Sequence, residues 1–160
     1  CNGCQMMSQL KDLIPGAENF PRFIANKSAR FEARTVNVKI ERTKSVLLKG
    51  MQESILPIAV AHGEGFATLS DTDIAGMSAH GQIVMRYVDS LGTPTEHYPL
   101  NPNGSPQGVT GICSTDGRVT LMMPHPERNF RALQHSWKPE DWAEDGAWLR
   151  MFRNARKFIG

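Results

Sequence analysis

Residues 55–88, ILPIAVAHGEGFATLSDTDIAGMSAHGQIVMRYV, pass from an apolar run to a glycine-bounded loop, then to a capped polar segment and a second apolar run. The run Ile55 to Ala61 has the unbroken apolar character of a buried strand. It stops at His62-Gly63-Glu64-Gly65, which is too rich in glycine to continue it. Ser70 or Asp71 is placed to cap a short helix reaching Ala79, Gly81 ends that helix, and Gln82 to Val88 reads as the next strand. Strand, loop, helix and strand in this order predict an α/β domain whose functional side chains sit at strand ends.

The flanks extend this pattern. Met6, Met7, Leu10, Leu13 and Ile14 recur at helical spacing, so a helix is expected from Cys4 to Ile14, closed by Pro15-Gly16. Phe31 to Ile40 alternates as a strand with one polar face, and Ser45 to Leu48 is a shorter strand candidate. Asn101 to Pro106 is dense in turn formers and reads as a loop. Val109 to Cys113, the turn Thr115-Asp116-Gly117 and Arg118 to Met123 form an expected hairpin that runs into Pro124-His125-Pro126-Glu127. Trp148, Leu149, Phe152, Ala155 and Ile159 make one face of a closing helix, with basic residues in its last turns where they suit the dipole.

The 160 residues, 40% of them apolar, suit one domain with a real core. A net charge of +2 with both signs scattered excludes the basic, aromatic-laced stripe that tracks nucleic acid, and Lys27, Arg30 and Arg34 read as a solvated face. No apolar run approaches the ~20 residues needed to cross a bilayer, and no secretory signal is present, so a cytoplasmic location without membrane association is expected. Three cysteines do not make a disulfide framework. The chain opens at Cys-Asn-Gly-Cys without a Met, as expected of part of a longer protein.

Chemistry concentrates at two places. Cys1 lies where a helix begins, and unpaired N–H groups there favour a thiolate. Gly3, two places on, gives Cys1 the small residue that a nucleophile elbow requires, whereas Cys4 has Met6 at that position. His125, at the end of a strand, is the expected base, and Glu127 two residues on is the expected orienter of its imidazole. The backbone N–H of Asn2 is one expected donor to an oxyanion. Three other readings compete: an N-terminal-nucleophile amidotransferase using the α-amino group of Cys1, a thiol redox module using Cys1 and Cys4, and a folded docking surface without activity. No zinc or other metal site is expected, because Cys1-x-x-Cys4 has no second pair and Cys113 stands alone as a buried small residue.

Cys1-Asn2-Gly3-Cys4-Gln5 matches the Cys-x-Gly-x-Gln elbow, and His125-Pro126-Glu127 the His-x-Glu, of the class I (triad) glutamine amidotransferases, which the chain resembles. Arg30 to Arg34, Ala61 to Gly65, Tyr98 to Ser105, Met123 to Arg128 and the tail from Trp137 to Lys157 resemble, more narrowly, the phosphoribosylformylglycinamidine synthases of purine biosynthesis in their long single-chain form. The resemblance spans essentially the whole chain. It implies a three-layer, flavodoxin-like α/β fold with a mostly parallel central sheet, of which residues 1–160 would be a partial glutaminase domain lacking its N-terminal part. It implies that Cys1 forms a γ-glutamyl thioester, that His125 protonates departing ammonia and then activates water, and that Glu127 orients His125. Gln5, His62, Gly63 and Glu64 would contact the substrate glutamine. ATP and magnesium would be bound by the synthetase domains of the same polypeptide, and residues 1–160 would hold no cofactor and show little activity alone.

Overall fold

The computed structural model describes residues 1–160. Helix α1, Asn2–Gln9, begins at Cys1 and ends earlier than its apolar pattern suggests. Pro15 biases Ile14 toward extended backbone, and Ile14 is found at φ −106, ψ 111. The helical path therefore tightens into a 3-10 turn over Lys11–Leu13 instead of continuing.

Two short strands, β1 (Phe23–Ile24) and β4 (Phe66–Ala67), pair antiparallel beside the main sheet. The main sheet contains β2 (Glu32–Ile40), β3 (Ile55–His62), β5 (Ile83–Tyr87), β6 (Val109–Cys113) and β7 (Thr120–Met122), in the order β3-β2-β5-β6-β7. Helix α2, Asp71–Ala79, precedes β5 and starts at a complete capping box in which Ser70 and Asp73 exchange side-chain and backbone bonds. Helix α3, Leu149–Ile159, closes the chain.

The α/β class is as expected, but strand direction is not: every pair within the main sheet is antiparallel. For the pair β6 and β7, connection length explains this. The turn between β6 and β7 is a few residues long, and a parallel pair needs a crossover of about a dozen or more residues. Ser45–Leu48 is also not a strand. Val46–Leu48 is a 3-10 turn beneath α3, and Asn154 donates from Nδ2 to the carbonyls of Leu47 and Lys49, each at 2.8 Å.

One core cluster gathers Val36, Ile58, Val60 and Tyr87 with Trp148 and Met151 from the α3 side. The other joins Cys4 of α1, Ile74 and Met77 of α2, Ile83 and Leu121. Helices thus cover two sides of the sheet, giving three layers. No helix is long and apolar enough to cross a membrane.

The sheet curls so that the chain leaving β7 meets β3 at the opposite end of the strand order. His125 donates its backbone N–H to the Ala59 carbonyl at 2.8 Å, in an isolated antiparallel bridge. The Ala59 N–H donates to Asn129 Oδ1 at 2.6 Å, and the indole N–H of fully buried Trp148 caps the Pro57 carbonyl at 2.8 Å. These partners satisfy an edge that would otherwise present open backbone groups. They also fix where His125 stands.

Candidate active site

Cys1 is the N-cap of α1 and Asn2 its first residue, so the Asn2 N–H has no partner within the helix. The Cys1 thiol is half-buried, and its one hydrogen bond runs from Sγ to Asn2 Oδ1 at 3.9 Å. A side chain added at Gly3 would meet nothing within 4 Å, so within residues 1–160 nothing crowds this glycine.

The imidazole of His125 is held from one side. Pro126 opens a 3-10 turn, Pro126–Arg128, and this turn swings Glu127 back until its Oε1 lies 2.7 Å from His125 Nδ1. A tight turn, rather than the expected extended run, makes the contact. Nε2, the other ring nitrogen, is buried and has no hydrogen-bond partner. A buried, unpaired nitrogen carries a free-energy cost that a thiol donor or a reacting proton would relieve. Cys1, Met122, Met123, His125, Glu127 and Phe152 line one cavity of about 270 Å³. The Cys1 thiol and the His125–Glu127 pair, some 125 residues apart in sequence, therefore line one space.

The loop after β3 reaches the same helix. Glu64 is exposed and accepts a hydrogen bond of 2.6 Å from Gln5 Nε2, joining the loop to the second turn of α1. His62 lies beneath, fully buried, with Nε2 3.3 Å from Asn103 Nδ2. Gly65 has to be glycine here, because a Cβ would come within 2.4 Å of the His62 ring. Burial pushes the His62 pKa down to about 4, and positive charge on His125 adds to the shift. Gly63 and Glu64 are thus the solvent-facing part of the loop, while His62 is its buried anchor.

Asn103 also donates to the Tyr87 hydroxyl at 3.3 Å, and its Oδ1 accepts from the Ser105 N–H at 3.0 Å. Asn101 donates to the Thr95 and Ser105 carbonyls at 3.0 and 2.9 Å. The turn-rich composition of this segment predicts a loop but no positioning role. The signal was two asparagines inside a turn-rich stretch, which are suited to bond neighbouring backbone. Asn129, on the β3 edge near His125, had no signal beyond its side-chain type, and Trp148, placed by its spacing on the closing helix, had none for its bond to the Pro57 carbonyl.

The remaining cysteines are quiet. Cys4 is buried and its thiol is pushed up to about 12, which does not suit attack or exchange with Cys1. Cys113 is fully buried and its pKa is likewise raised by burial. No group of three His, Cys, Asp or Glu side chains converges to hold a metal ion. Of the basic residues, Arg34 pairs with Glu32 and its guanidinium stacks 4.8 Å from the centre of the Tyr98 ring.

A family-wide profile described as a CobB/CobQ-like glutamine amidotransferase domain matches residues 1–159. The chain belongs to that family. Its fold is also that of a solved structure, PurLQS from Thermotoga maritima, with a TM-score of 0.68 and 22% identity. That match covers 99% of this chain and 59% of the solved one, so the chain spans under two thirds of the length it matches. Placed in this family, the cavity shared by Cys1 and His125 is the candidate active site of a glutamine amidotransferase domain.

Proposed function

We propose that this domain is a glutaminase in which Cys1 is the nucleophile. The carrying observation is the His125 imidazole: its Nδ1 is held by Glu127 at 2.7 Å, while its Nε2 is buried and unpartnered at a cavity that Cys1 also lines. His125 takes the thiol proton as Sγ attacks the side-chain amide carbon of glutamine, and the Asn2 N–H donates to the developing oxyanion. His125 then protonates the amide nitrogen, the C–N bond breaks and ammonia leaves. Water, deprotonated by His125, attacks the thioester, so that glutamate is released and the thiol restored. Glu127 keeps the imidazole in the required tautomer. Glu64 and Gln5, exposed beside the nucleophile helix with Gly63, hold the amino acid end of glutamine, and buried His62 supports them from below.

The ammonia serves an ATP-dependent ligase. Together with the sequence motifs, the fold shared with PurLQS supports conversion of formylglycinamide ribonucleotide to formylglycinamidine ribonucleotide in purine biosynthesis. In that reading residues 1–160 are a partial glutaminase domain, the synthetase domains belong to the same cytoplasmic polypeptide, and ATP and magnesium are bound there. Mass spectrometry of the intact protein after treatment with 6-diazo-5-oxo-norleucine tests the chemistry. Label is expected on Cys1, not on Cys4 or Cys113, and is expected to be lost in His125→Ala. Label elsewhere, or labelling of His125→Ala at the unsubstituted rate, would sink the triad.

A further inference from the structure

We propose that Asn26 is a positioning residue for the glutaminase site, holding the backbone on both sides of Glu64 so that this carboxylate stands against Gln5 of the nucleophile helix. The inference rests on the glutaminase reading above. Asn26 follows β1 by two residues, and β1 pairs with β4, so the fold carries it alongside the loop that joins β3 to β4. It is buried, at 3% exposure, and every polar group of its side chain is used. Its backbone N–H donates to the Gly63 carbonyl at 2.9 Å. Its Nδ2 donates to the His62 carbonyl at 2.8 Å and to the Arg30 carbonyl at 2.9 Å, and its Oδ1 accepts from the Gly65 N–H at 2.8 Å.

His62 and Gly63 before Glu64, and Gly65 after it, are thereby all bonded to Asn26, through its side chain or its own backbone N–H. Glycines at 63 and 65 give the loop wide backbone freedom, which such bonds restrict. Glu64 itself makes one contact, the 2.6 Å bond from Gln5, and no ion pair. Its direction is therefore set by the backbone that Asn26 fixes. Only an amide serves this position: a carboxylate keeps the acceptor for Gly65 but turns an oxygen toward two carbonyl oxygens, and a hydroxyl is too short to span both partners.

Asn26→Asp and Asn26→Ser in the intact protein test the role, the serine variant standing in if the aspartate variant does not fold. Steady-state glutaminase assays are expected to give a KM for glutamine raised ~10-fold or more with kcat changed less than about threefold. Alkylation of Cys1 by iodoacetamide, which does not use the loop, is expected at the unsubstituted rate. Combined with Glu64→Gln, either variant should add little to the KM effect of Glu64→Gln alone, since both act through one carboxylate. Unchanged KM, a KM effect fully additive with Glu64→Gln, or equal loss of kcat and Cys1 alkylation would overturn the proposal. An unsubstituted protein that does not turn over glutamine would overturn the glutaminase reading itself, and this inference with it.

Discussion

Acid should weaken this fold through one buried side chain, His62. In the unfolded chain its imidazole has the ordinary value of 6.5, and in the folded protein burial and the nearby positive charge of His125 hold it at about 4. Between these values the unfolded chain binds a proton that the folded protein refuses, so stability falls as pH falls from 6.5 to about 4 and no further loss comes below that. With one pKa unit equal to ~1.4 kcal/mol, the penalty is ~0.2 kcal/mol at pH 7 and ~2 kcal/mol at pH 5. The lowered carboxylates of Asp73 and Asp116 start from an ordinary value of 3.8, below this window, that of Glu53 starts from 4.5 at its acid end, and the raised thiol of Cys4 lies above it. Urea unfolding followed by tryptophan emission at pH 5, 6 and 7 reads the effect, and His62→Gln at the same three pH values removes what other groups contribute. The stability difference between the two proteins should change by ~2 kcal/mol across the range, with the unsubstituted protein losing more. Equal pH dependence in both proteins would refute a neutral, desolvated His62.

Gly65→Ala puts a methyl within 2.4 Å of the His62 ring and 2.8 Å of Asn103 Nδ2, and should cost ~1–3 kcal/mol of stability in the same unfolding assay. Trp148→Phe removes the donor to the Pro57 carbonyl on the β3 edge, and a loss of ~1–3 kcal/mol is expected by denaturation. Glu127→Gln leaves the His125 ring without its carboxylate and should lower glutaminase kcat by ~10²-fold or more while Cys1 remains chemically accessible to iodoacetamide. Cys4→Ala should leave 6-diazo-5-oxo-norleucine labelling of Cys1 unchanged, because the Cys4 thiol is buried and protonated; loss of labelling would favour a dithiol mechanism.

Much of the fold was legible in residue order. The period-two pattern of 31–40, the apolar run of 55–61, the Ser70 cap and the amphipathic face of the last helix are local signals, and each element appears within a residue or two of its expected bounds. Ser45–Leu48 misled because its short apolar run has no period long enough to separate strand from turn, and Asn154, more than a hundred residues on, decides it. The mostly parallel sheet was an expectation about long-range pairing, which composition does not encode.

For the site, the sequence alone supplied the chemical types: a thiol at a helix start, and an imidazole with a carboxylate two residues away. Local geometry follows from such short spacing, since Pro126 and the turn it opens bring Glu127 to His125. Tertiary structure alone decided that this pair shares a cavity with Cys1, because the curl of the sheet sets His125 against Ala59 of β3. It alone also buried His62, exposed Glu64 and joined it to Gln5. The physical reason is that hydrogen bonds and burial between distant segments depend on how the strands register and coil, which no window of neighbouring residues contains.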